Sequence, residues 1–153
     1  MSKVVYQRER IREVWEEAIP LLREHYKEIG LYNDKVLFDP AIDQYEVMDD
    51  MDMLYILTAR DDGKLIGYYS CFIQPNLHYQ QTLTSVNDVF YIHPDFRKGF
   101  VGIKLLKEAE KHMRALGVDV MSLEFKTYAP LDPLLERLGW DYTARFYSKY
   151  IGD

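Results

Sequence analysis

Cysteine is all but missing from this chain of 153 residues; Cys71 is the only one. A single thiol cannot close an internal disulfide, and there is no cysteine cluster to hold zinc. Cys71 lies in an apolar run and is expected to be a small core residue. An excess of basic charge is missing too. Lysine and arginine total 19 against 25 aspartates and glutamates, a formal net charge of −6. A duplex nucleic-acid binder would show a basic face, so no nucleic-acid partner is expected, whereas a cationic partner or substrate is compatible. The histidines His25, His78, His93 and His112 have no metal-ligand spacing, and no metal is expected. No apolar run is long enough to span a bilayer, so no membrane partner is expected. The opening Met1-Ser2-Lys3-Val4-Val5-Tyr6-Gln7-Arg8 is too polar for a signal peptide. A cytoplasmic protein fits these absences. No Walker loop, nucleophile elbow, repeat or low-complexity stretch is found. Nothing marks a boundary, and residues 1–153 read as a single domain.

What is present is apolar and aromatic. Hydrophobic residues make up 48% of the chain and aromatics 14%, enough to build a core unaided. The 13 tyrosines suit half-buried strands and pocket walls, being apolar at one end and polar at the other.

Residues 4–8 can form a short strand. Ile11, Val14, Trp15, Ala18, Leu22, Tyr26 and Ile29 then follow helical spacing, with Gly30 as terminator and Pro20 expected to kink or split the helix. Asp39-Pro40 predicts the start of a second helix. The acidic run through Asp39, Asp43, Glu46, Asp49, Asp50 and Asp52 reads as a solvated helix face, or else as a lure for a cationic amine. Residues 53–58 and 65–73 make a hairpin about the Asp62-Gly63 turn. Residues 82–92 form a strand closed by Pro94, and from Gly102 the period turns helical up to Gly117. Residues 118–126 read as a strand, Asp132-Pro133 opens a short helix, and residues 140–151 read as one last strand or a pair. His25 and His112 fall on helices as surface or boundary residues, while His78 and Tyr79 are candidates for lining a pocket. The order predicts a mixed, mostly antiparallel α/β sheet of about six or seven strands, with helices on both faces and a central parallel strand pair.

The informative stretch is Asp88-Val89-Phe90-Tyr91-Ile92-His93-Pro94-Asp95-Phe96-Arg97-Lys98-Gly99-Phe100-Val101-Gly102. A strand runs into a basic, glycine-bearing loop that opens a long helix. Unpaired N–H groups at a helix start, a nearby arginine and lysine, and glycines that admit a close ligand together make an anion site, most simply for phosphates. A plain strand–helix connection that needs glycine for its turn fits the same residues. Gly99-Phe100-Val101-Gly102 also spells the loop of KH domains, but there the loop joins two helices.

These residues resemble motif A of the GNAT (GCN5-related) N-acetyltransferase superfamily. That motif is a strand ending in a hydrophobic-x-Pro step, then Arg or Gln, two variable residues, Gly, one variable residue, and Gly or Ala. Ile92-His93-Pro94, Arg97 and Gly102 match it, and Leu138-Gly139-Trp140 resembles the family's late helix ending. The loop variant is similar to forms in phage and prophage members. Phe100 departs from the pattern where the family has glycine, which puts the shape of the pyrophosphate cradle in doubt and shifts the expected turn to Gly99. Leu135 stands where many members carry a tyrosine that protonates the departing thiolate.

The resemblance implies acetyl-CoA as co-substrate, with its pyrophosphate on Arg97, Lys98, Gly99, Phe100, Val101 and Gly102 and its arm along Phe90, Tyr91 and Ile92. It implies direct attack by an amine in a ternary complex, Asp88 as general base, and a homodimer as the common assembly. Tyr128 is the candidate general acid, with Tyr142, Tyr147 or water as alternatives. The amine, a small molecule or a protein, is not legible. Two other readings stay open: a catalytically inactive GNAT-fold binding or regulatory protein, and a different ligand in the anion site.

Overall fold

The computed structural model describes residues 3–127 and 131–153. Strand β1 (Val4–Arg8) leads into helix α1 (Ile11–Ile29), then helix α2 (Ile42–Asp50), strands β2 (Leu54–Asp61), β3 (Lys64–Pro75) and β4 (Leu83–Ile92), helix α3 (Val101–Ala115), strand β5 (Val120–Ser122) and helix α4 (Asp132–Arg137). The strands form one sheet in the order β1-β2-β3-β4-β5. The first three pairings are antiparallel and β4–β5 is parallel. The β2–β3 turn places Asp62 at φ 49° and Gly63 at φ 82°, as a two-residue hairpin of right-handed twist requires.

Alternation of side chains along the strands divides the core in two. Leu54, Ile56, Leu65, Tyr68 and Tyr91 pack under Ile11, Val14 and Ala18 of α1. Tyr55, Leu57, Ile66, Tyr69, Cys71 and Ile92 pack under Leu105, Ala109 and Met113 of α3. Cys71 is fully buried, and burial pushes its thiol up to about 11, so it is a core residue as expected. Helix α1 runs unbroken through Pro20, which lies on its exposed face, where water can meet the carbonyl that the ring leaves without a donor.

Three expectations are corrected. The sheet has five strands among the described residues, because residues 140–151 form no strand. Strand β5 is only three residues long and offers little edge to pair with. Tyr142, Phe146 and Tyr147 are left exposed, and the segment returns over the α1–α2 connection, with Tyr150 against Tyr32 at 5.8 Å and under the Lys35 ammonium at 4.8 Å. Second, α2 starts at Ile42, after Asp39-Pro40. Third, the acidic run keeps the expected solvated face at Asp39, Asp43, Asp50 and Asp52, but Asp49 departs from it. Asp49 is 3% exposed; its carboxylate accepts the Ile11 N–H at 2.8 Å and an Arg10 N–H at 2.8 Å, capping α1 from α2. Arg12 holds Asp50 through bonds of 2.8 and 3.1 Å.

Candidate active site

The site grows from an irregularity in β4. Ser70 pairs with Val89 and Cys71 with Asn87, so Asp88 is one residue too many for its partner strand. Such a bulge breaks the alternation and re-aims a side chain. Here it sends Asp88 and Val89 to the same face, into a cavity beneath α1. The Tyr45 hydroxyl of α2 donates to the Asp88 carboxylate at 2.8 Å, and Ser70 approaches the same oxygen at 3.5 Å. Burial raises the Asp88 pKa, partly countered by these two hydrogen bonds. Burial, reinforced by the Asp88 charge, raises that of Tyr45.

One residue earlier, β4 and β5 come apart. Their pairing ends at Val86 with Ser122. The Asn87 side chain then stands between the chains: its Nδ2 donates to the Glu124 carbonyl at 2.8 Å and its Oδ1 accepts the Glu124 N–H at 2.6 Å. An amide side chain has replaced a rung of backbone ladder and holds the strands a side chain's width apart. Past this wedge, among the described residues, no strand pairs with β4 on this side. His93 N–H donates to Ile66 on β3. Successive N–H groups along a strand alternate sides, so those of Phe90 and Ile92 point the other way, into the opening.

The opening leads to the start of α3. Residues 94–100 turn tightly, and Phe100 stands at the helix N-cap with φ −99°. Among the described residues, the N–H groups of residues 98–103 have no acceptor. They form a concentrated positive end, beside the exposed Lys98. Phe100 is 70% exposed and does not plug the opening. Gly99 is not in the left-handed region, so the expected turn about it is not the one used: consecutive right-handed turns carry the chain from Pro94 into α3. Gly102 brings the first turn of α3 close to β4; a Cβ there would sit 3.5 Å from Ile92, room enough for alanine. Arg97 is engaged elsewhere: its guanidinium donates to the Ile92 carbonyl at 2.7 Å and to Glu28 of α1 at 2.8 and 2.9 Å, and lies over the Tyr91 ring. It braces the loop. The Tyr91 side chain faces α1, leaving only its backbone beside the opening.

The cavity measures about 280 Å³. Val14, Ala18 and Leu22 of α1, Phe38 of the connection and Ile56 of β2 are among its apolar walls, while Asp88, Ser70, Tyr68 and His25 add polar groups. His25 is 7% exposed, against the surface or boundary position expected, and packs 5.0 Å from the Tyr91 ring. Burial lowers its pKa to about 4, so it is neutral near pH 7. Its place on the α1 stripe, seven residues after Ala18 and three after Leu22, is the signal that assigns it to the buried face. Asn87 had a signal too, as an amide inside an apolar strand. His78 and Tyr79 lie in the exposed β3–β4 loop and do not line the cavity. Tyr142 and Tyr147 are exposed on the C-terminal segment, Leu135 is buried in α4, and Tyr128 lies outside the described residues.

An open strand edge that ends at an unpaired helix start suits a ligand that joins phosphates to an extended arm. Comparison with known proteins identifies the family. The sequence profile of the Acetyltransferase (GNAT) family matches residues 12–140. A search of curated proteins found no match. Among solved structures, a ribosomal-protein-alanine N-acetyltransferase from Brucella melitensis biovar Abortus 2308 superposes with a TM-score of 0.72 at 20% identity, covering 98% of this chain and 100% of that one. An aminoglycoside acetyltransferase from an uncultured soil metagenomic sample gives 0.76 at 14%, covering 98% and 99%. A predicted acetyltransferase from Clostridium acetobutylicum, solved with acetyl-CoA, gives 0.71 at 10%, covering 97% and 96%. The chain belongs to the Acetyltransferase (GNAT) family.

Proposed function

We propose that this protein moves an acetyl group from acetyl-CoA to an amine by direct attack in a ternary complex. The observation that carries the reading is the Asn87-held opening along β4, continuous with the unpaired N–H groups at the start of α3. The N–H groups of residues 98–103 and Lys98 receive the pyrophosphate, and Gly102 lets the helix start sit close to the strand. Arg97 holds that loop against α1 through Glu28. Phe90 and Ile92 offer backbone N–H groups to the arm and to the thioester oxygen as it gains charge. Acetyl-CoA supplies an activated acyl carbon; the protein supplies position and proton transfer.

The amine arrives protonated and must lose that proton to attack. Asp88 takes it directly or through one water, its raised pKa making it a better base than a solvent-exposed aspartate. Tyr45 keeps the carboxylate aimed by its 2.8 Å hydrogen bond. The new C–N bond forms as the C–S bond breaks. The ammonium plus thioester become an amide plus free thiol, and one proton is released to solvent. Leu135 cannot supply a proton to the thiolate, so Tyr128 or water does.

The test is thiol release from acetyl-CoA in the presence of mixed amines. Amine-dependent release, absence of an acetylated protein by intact mass, and a loss of at least about 100-fold in Asp88→Asn are expected. An acetyl-protein intermediate would contradict direct attack. The buried Leu135 favours one second reading, a non-catalytic GNAT-fold binding protein. That reading predicts acetyl-CoA binding with no release for any amine.

A further inference from the structure

Taking acetyl transfer to an amine as the reaction, the cavity beside Asp88 limits which amine fits. We propose that the acceptor is a monoamine on an aromatic or branched apolar body, an arylalkylamine in the simplest case, seated between α1 and the sheet with its nitrogen at Asp88.

Size argues first. About 280 Å³ is at the small end of ligand cavities, room for a one- or two-ring amine and too little for an oligosaccharide. Charge argues second. No lysine or arginine is among the lining residues, so a phosphorylated amine would meet no counter-charge there. The lining carboxylates are the half-buried Asp88 and the exposed Asp39. A polycation would bring several charges against one half-buried partner. The neighbouring acids are committed: Asp49, Asp50 and Asp52 pair with Arg10 and Arg12, and Glu28 with Arg97. Chemistry argues third. Val14, Ala18, Leu22, Phe38 and Ile56 give apolar walls, which reward an apolar body that covers them. Tyr68, 4% exposed, lines the same cavity with a hydroxyl that has no partner among the described residues. A ring substituent able to hydrogen-bond, such as an indole N–H or a phenol, would satisfy it.

The test is calorimetric titration of the free protein with 2-phenylethylamine, tryptamine, 2-phenylethanol, kanamycin and glucosamine 6-phosphate. The two arylalkylamines should bind at least tenfold tighter than the other three, phenylethanol losing the ammonium and the last two the fit. Ala18→Phe fills the cavity and should weaken arylalkylamine binding at least tenfold with acetyl-CoA affinity unchanged. Leu22→Ala enlarges it and should shift preference severalfold toward tryptamine. Tighter binding of kanamycin or glucosamine 6-phosphate overturns the proposal. So does arylalkylamine affinity that neither variant alters, or no arylalkylamine binding by protein that binds acetyl-CoA. Arylalkylamine binding that responds to both variants, in protein that does not bind acetyl-CoA, upholds the cavity assignment and overturns the acetyl-transfer reading instead.

Discussion

Replacing Asn87 by alanine tests whether the opening along β4 is built or incidental. The substitution removes the two hydrogen bonds to Glu124, at 2.8 and 2.6 Å. A hydrogen bond of this kind contributes about 1 kcal/mol net, so the loss is about 2 kcal/mol. For a domain of this size that lowers Tm by about 4–8 °C. The functional effect follows from the same number. Without the wedge the free protein relaxes toward closer pairing of β4 with the segment after β5. Acetyl-CoA binds only the fraction that stays open, so its apparent affinity falls, by at most about 30-fold for 2 kcal/mol. Thermal unfolding and calorimetric titration of one preparation read both effects. Asn87→Asp, which can still accept the Glu124 N–H but cannot donate, should fall between wild type and alanine. An alanine variant with lowered Tm and unchanged acetyl-CoA affinity would refute the wedge as a functional element. Unchanged Tm would refute the bridge itself.

Four further outcomes are expected. Gly67→Ala places a Cβ 2.8 Å from the Tyr91 carbonyl oxygen and 2.7 Å from Ile92 Cδ1, and should cost about 1–3 kcal/mol in denaturant unfolding. Gly102→Ala meets only ordinary contacts and should be neutral or stabilise α3 by up to about 1 kcal/mol. Asp88→Asn should abolish most activity without lowering stability at neutral pH. A carboxyl whose pKa is raised by folding stabilises the fold below its unfolded-state pKa, and that contribution is lost as pH rises through the folded value, so the charged Asp88 is a cost that asparagine relieves. His25 carries the opposite sign. Its pKa is lowered on folding from 6.5 to about 4, so its contribution is full above 6.5 and lost as pH falls toward 4. Unfolding free energy should drop by on the order of 2–3 kcal/mol between pH 7.5 and 4.5 through this residue, a component missing in His25→Gln.

The fold was legible where local rules act alone. The α1 stripe, the Asp62-Gly63 turn and the strand–loop–helix from Asp88 to Gly102 each carry their own signal, through periodicity, positive φ and motif. The misses come from contacts between distant segments. Asp49 reads as one more exposed acid until α2 docks on α1 and the carboxylate becomes a helix cap. Aromatic residues 140–151 have strand composition, but a strand also needs an edge, and β5 supplies three residues of it. Asp88 was legible as a carboxylate inside an apolar strand. The bulge that turns it toward the cavity was not, because an extra residue shows only against the register of β3. Tyr45 and His25 reach the site from separate helices, so no spacing rule within one segment connects them to Asp88.

The central claim is that the junction of β4 and α3 receives acyl-CoA. Equilibrium titration of acetyl-CoA into wild type and Lys98→Glu tests it most directly. Lys98 is exposed, so the variant should keep its fold while placing a negative charge beside the unpaired N–H groups. The account predicts micromolar binding by wild type and a loss of at least about tenfold in the variant, with Tm unchanged. Equal affinity in the two proteins, or no binding by wild type, would contradict it.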